Sequence, residues 1–137
     1  MSIPIVTERV YDVPIETLWR VLTDKDAMRQ WYFSQVQAFE PVAGFAFEFT
    51  DDGSAYQKDW QVTEVTEGQK LAHTWAYKGY PGCSEVSFEL LAEGANTTLT
   101  ITHTGLESFP DDPHFARHRF EWGWRLISDN LKSYAEK

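Results

Sequence analysis

Four histidines carry the most versatile chemistry in this chain, and their spacing sorts them into two pairs. His73 and His103 share predicted strand faces with Trp75 and Ile101. An imidazole among aromatic rings can orient a ligand or transfer a proton near neutral pH. The plainer reading is a histidine held by hydrogen bonds at a strand end, beside Gly105 in the case of His103. That reading is preferred because no carboxylate stands at a fixed spacing to complete an acid–base pair. His114 and His118 stand at i and i+4, a spacing that can chelate a divalent metal on a helix. On the wheel of the last helix both point away from its apolar stripe, toward solvent, so no metal site is expected.

The remaining reactive residues offer less. Cys83 lies in a Gly/Pro-rich loop with no histidine near it in sequence, so nothing there activates a thiolate. Tyr77, His73, His103 and Asp59 are the polar side chains to substitute first if the chain is an enzyme. Phosphate-binding loop, cysteine metal cluster, nucleophile elbow and dinucleotide fingerprint are all missing. No cofactor is expected.

These residues must be positioned by a predicted order of strand, two short helices, a run of strands and one long helix. Residues 3–12 are β-rich, and Pro14 opens a helix marked by Ile15, Leu18, Trp19 and Leu22. Asp24 can cap a second helix carrying Ala27, Met28 and Trp31. The period then changes to two. Phe45, Phe47 and Phe49 alternate on one strand, and Trp60 and Val62 share a face on the next. Leu71, His73, Trp75 and Tyr77 follow, then Val86, Phe88 and Leu90, then Leu99, Ile101 and His103 opposite a threonine face. Asp111-Asp112-Pro113 is read as the start of a last helix over 114–135, roughly 33 Å long at 1.5 Å per residue. Its stripe is Phe120, Trp124, Ile127, Leu131 and Tyr134, and Gly123 beside it suggests close packing on the sheet.

This order describes an α+β helix-grip fold, a curved antiparallel sheet with the long C-terminal helix across its concave face. The run from Val13-Pro14 through Leu18-Trp19 to Leu22-Thr23-Asp24, followed by Trp31, resembles the opening of the START-like (SRPBCC, birch-pollen-allergen-like) superfamily. Trp60-Gln61-Val62, the strand from Leu71 to Trp75, Thr102-His103-Thr104-Gly105-Leu106, and Gly123-Trp124 through Leu131-Lys132-Ser133-Tyr134 are closest to one branch of it. That branch is the activator of heat-shock-protein-90 ATPase homologue-like group. The resemblance covers nearly the whole chain and implies a single domain over residues 1–137.

The inward-facing set is Phe47, Phe49, Trp60, Trp75, Tyr77, Phe88, Ile101, His103, Phe120 and Trp124. These residues either line an apolar cavity or pack as core; their pattern is silent between the two. The resemblance favours the cavity, and with it a small-molecule binding protein for an apolar or aromatic ligand. It leaves open a cyclase-, dehydratase- or hydrolase-like enzyme using the same cavity, and an interaction domain like the chaperone-ATPase activator. No further domain is expected before the first strand, so a full co-chaperone is not the expected reading.

Composition narrows the partners. Asp and Glu outnumber Lys and Arg by 21 to 12, a formal charge of -9, and no basic stripe offsets it. Such a surface repels phosphate backbones, so nucleic acid is not expected as a partner. No apolar run approaches the ~18 residues of a membrane span, and no signal peptide is visible. With one cysteine, a cytoplasmic protein is expected. Trp122 falls outside the apolar stripe and offers a contact for a second copy of the chain.

Overall fold

The computed structural model describes residues 3–136. Its elements follow the sequence as β1 (Ile5–Tyr11), α1 (Ile15–Thr23), α2 (Lys25–Trp31), β2 (Val36–Ala38), β3 (Glu48–Phe49), β4 (Val62–Thr66), β5 (Lys70–Trp75), β6 (Ser84–Glu93), β7 (Asn96–Thr104) and α3 (Arg117–Ala135). Short 3-10 turns at Leu106–Ser108 and Pro113–Phe115 join β7 to α3. The main sheet is antiparallel throughout, in the order β1-β7-β6-β5-β4, and β2 and β3 form a separate pair. The helix-grip expectation holds. Among the described residues no helix is long and apolar enough to cross a membrane.

Local chemistry accounts for the elements. The Asp24 side chain accepts from the Ala27 N–H at 2.9 Å and so starts α2. Trp31 donates its indole proton to the Val21 carbonyl at 2.9 Å, which locks α2 to α1. On β7, Thr97, Leu99, Ile101 and His103 are buried while Thr98, Thr100 and Thr102 are half-buried and Thr104 is exposed. On α3, Phe120, Trp124, Ile127 and Leu131 face inward together.

Three expectations change. The Phe45–Phe49 segment is not one regular strand: only Glu48–Phe49 pairs with β2, and Ala46 makes an isolated bridge to Gln61. The segment must answer β2 on one side and residues 60–62 on the other, and the ladder breaks where those registers disagree. Its period still holds, because the Phe47 and Phe49 rings stack with centroids 5.7 Å apart.

The last helix begins at Arg117 rather than near residue 114. Asp112 caps the Pro113–Phe115 turn instead, accepting from the His114 N–H at 2.8 Å, and Ala116 is extended. Phe115 supplies the reason. At 100° per residue it would lie about 140° from Phe120 on a continuous helix, whereas the turn buries it against Phe109 at 5.2 Å. The third change is Gly123. A Cβ built there meets nothing within 4 Å, so close packing does not explain the glycine.

Candidate functional site

Beside Gly123 lies a pocket of about 520 Å³. Its walls come from the residues just after α2 (Tyr32, Phe33), from β5 and the residues after it (Trp75, Tyr77), from His114 in the turn before α3, and from α3. On α3, residues 119, 122, 123, 126 and 130 recur at helical spacing along one flank of the buried stripe, which is why they meet at one opening. Trp122 and Leu126 stand at its exposed rim, 64% and 45% accessible.

The sequence-derived set divides here. Trp75, Tyr77, Phe120 and Trp124 line the pocket. Phe47, Trp60, Phe88, Ile101 and His103 are buried elsewhere in the core, and half-buried Phe49 packs edge-on to Trp60 at 5.1 Å. Trp60 stacks over His73 at 4.7 Å, and Phe88 meets Trp124 edge-on at 6.0 Å. The space between sheet and helix is therefore filled at its centre, with the aromatic opening along one flank of α3 and a polar groove of about 610 Å³ between β1 and the other.

Both buried histidines are held at both nitrogens. An indole N–H only donates, so Trp124 donates to His103 Nδ1 at 2.9 Å. His103 Nε2 then carries the proton and donates to Ser84 Oγ at 2.8 Å, and Ser84 donates to the Trp75 carbonyl at 2.8 Å. His73 has the opposite tautomer. Its Nδ1–H donates to the Thr74 carbonyl at 2.7 Å, and Tyr32 donates its hydroxyl proton to Nε2 at 2.9 Å. Burial lowers His73 to a pKa of about 4, against a smaller opposing effect of the Thr74 hydrogen bond. Burial, with the neighbouring His73 adding to it, lowers His103 to about 3. Neutral, buried and fully engaged, neither is poised to exchange a proton near pH 7.

Tyr77 differs. Its hydroxyl accepts from the Trp75 indole at 2.9 Å, and among the described residues nothing accepts its own proton. It is the one polar residue of the enzyme reading that lines the pocket; Asp59, His73 and His103 do not. His114 and His118 also change place, since both line the pocket rather than pointing away from it. They do not share a helix, because His114 belongs to the 3-10 turn and stacks on Tyr56 with ring centroids 3.4 Å apart. Among the described residues no group of three or more His, Cys, Asp or Glu is placed to hold a metal ion. The exposed Cys83 thiol is pushed up by partial burial, then by Asp59 and Glu85, which disfavours a thiolate.

Sequence reasoning missed Tyr32, Phe33, Arg119 and Asn130 in the lining. The aromatic run Trp31-Tyr32-Phe33 was the available signal for two of them. Arg119 and Asn130 become neighbours of the pocket only once the helix start and its rotation are known.

The pattern of a family described as "Activator of Hsp90 ATPase homolog 1-like protein" matches residues 12–136. No curated protein matches the chain. Among solved structures, the crystal structure of protein MLL2253 from Mesorhizobium loti aligns with a TM-score of 0.80 at 25% identity, covering 98% of this chain and 97% of that one. The solution structure of Bacillus halodurans protein BH1534 aligns with a TM-score of 0.76 at 23% identity, covering 98% and 97%. DynU16, described as a putative protein in the dynemicin biosynthetic locus, aligns with a TM-score of 0.80 at 21% identity; all of this chain is covered but only 48% of DynU16. The last two likenesses speak to the fold.

Proposed function

The chain belongs to the Activator of Hsp90 ATPase homolog 1-like family, and from that premise we propose that it is a small-molecule binding protein whose ligand is an apolar, aromatic compound. One observation carries this reading: a pocket of about 520 Å³ with aromatic walls opens where α3 has a glycine and no side chain fills the space. That volume falls within the range of small-molecule sites. The glycine costs α3 about 1 kcal/mol relative to alanine, so keeping the space empty opposes helix stability. Cytoplasmic residence belongs to the same proposal.

Catalysis has less behind it. The nitrogens of His73 and His103 are engaged in the core, which leaves Tyr77 alone facing the pocket among the polar residues of that alternative.

Gly123→Phe tests the binding reading, because a ring placed at that position enters the pocket. Calorimetric titration with 2-naphthylmethanol should give saturable binding to the wild-type chain and none to the variant, with the variant's thermal midpoint retained. Equal binding by a folded Gly123→Phe protein would falsify the assignment of this pocket.

A further inference from the structure

The lining of the pocket has a composition that the rest of the chain does not share. The sequence contains 21 Asp and Glu against 12 Lys and Arg, yet no carboxylate lines the pocket. Arg119 does. No carboxylate lies within ion-pair distance of its guanidinium among the described residues, and its charge reaches the Tyr77 hydroxyl and the His114 ring. A second cation stands behind the wall, with Lys58 Nζ 4.4 Å from the centre of the Phe33 ring. The Tyr77 hydroxyl keeps a proton to donate.

We propose that the pocket selects aromatic acids, with the flat ring against Phe33 and the aromatic rings of α3, and the anionic group received by the Arg119 guanidinium and the Tyr77 hydroxyl. The chemistry is that of a carboxylate or a comparably acidic oxygen on an aromatic frame. A guanidinium is the side chain best suited to such a group, since its fork matches two oxygens at once. An unpaired arginine in a lining without carboxylates has its attraction available for a ligand. Net charge works the other way at long range: a chain at -9 repels a free anion, so selection has to come from this local site. The inference rests on the binding reading above and adds the ligand's charge.

The experiment compares two probes of one shape, 2-naphthoate and 2-naphthylmethanol, by calorimetry at low salt on the wild-type chain, Arg119→Gln and Gly123→Phe. Arg119 is exposed, so the expected preference for naphthoate is about fivefold, shrinking as salt is added. Arg119→Gln should abolish the preference, weakening naphthoate by about fivefold more than it changes the alcohol. Equal affinities for both probes in the wild type, or a preference that survives Arg119→Gln, overturn the charge selection while the binding reading stands. If neither probe binds, or both bind folded Gly123→Phe as well as wild type, the pocket itself is wrong and this inference falls with it.

Discussion

The two flanks of α3 were built from one helix and do opposite things. Toward β1 the flank is ionic and fastened. Arg117 reaches the carbonyls of Ile3 and Pro4, Arg9 pairs with Asp129 at 2.7 Å, Lys132 donates to the Val10 carbonyl at 3.2 Å, and Glu136 accepts from the Asp12 N–H at 2.8 Å. β1 is an edge strand; Lys132 covers the Val10 carbonyl on it, and the contacts to Ile3, Pro4 and Asp12 fasten the chain at its two ends. Toward α2 and β5 the flank is aromatic and open, with Gly123 at its centre and no carboxylate in its lining. Each exposed ion pair contributes little by itself. Together with the backbone contacts they tie the helix to β1 across a polar groove, while the aromatic opening lies on the other flank.

Between the flanks runs the row that both depend on, and breaking it should have the largest effect. Trp124 is buried, lines the pocket and donates to His103. Trp124→Ala removes a large core side chain and strands a buried acceptor, so a loss of about 3–5 kcal/mol is expected from urea unfolding. Trp124→Phe keeps most of the ring and should lose only about 1–3 kcal/mol, the cost of the unpaired His103 nitrogen. Similar losses for the two variants would mean that the indole hydrogen bond, and not the packing, holds the row.

Acid should come next. His73 and His103 titrate in the fold at about 4 and about 3, below the ~6.5 of an unfolded histidine. The unfolded chain therefore takes up protons first as pH falls. The stability due to these neutral histidines is present above about pH 6.5 and is lost progressively below it, down to about pH 4 for His73 and about pH 3 for His103. With both contributing, roughly 2 kcal/mol should disappear between about pH 6 and pH 5, before most carboxylates protonate. Urea midpoints that stay flat across that window would contradict the two neutral tautomers.

How far the sequence foretold this depends on which physical question it was asked. Period and caps are local, and they located α1, α2, β5, β6 and β7, down to the Asp24 cap. The buried face of α3 was legible for the same reason. Lining and core, however, are made of the same residues: the pattern puts Trp60 and Trp75 alike on inward strand faces, and only Trp75 lines the pocket. That distinction depends on how far a helix stands from a sheet, and no strand pattern encodes it. Gly123 was visible in the sequence as a feature needing an explanation. Its role was misread because the expected packing and the observed opening both call for a missing side chain. The His114–His118 spacing misled in a different way, since the helix it assumed had not yet begun.

The smallest effects test the comparison most directly, because one substitution on each flank should move stability in opposite directions. Arg117→Ala uncaps the Ile3 and Pro4 carbonyls and breaks its pair with Glu121. Those groups are exposed and water replaces part of what is lost, so a cost of about 0.5–1 kcal/mol is expected, smaller in high salt. Gly123→Ala adds a methyl where nothing stands within 4 Å and removes a helix glycine, so a gain of about 0.5–1 kcal/mol is expected, insensitive to salt. Both can be read from urea midpoints at two ionic strengths. A stability loss in Gly123→Ala would mean that the open flank is closer to the sheet than the empty space implies. If instead the alanine variant is more stable and binds 2-naphthylmethanol less tightly, stability and ligand space are in direct competition at this one position.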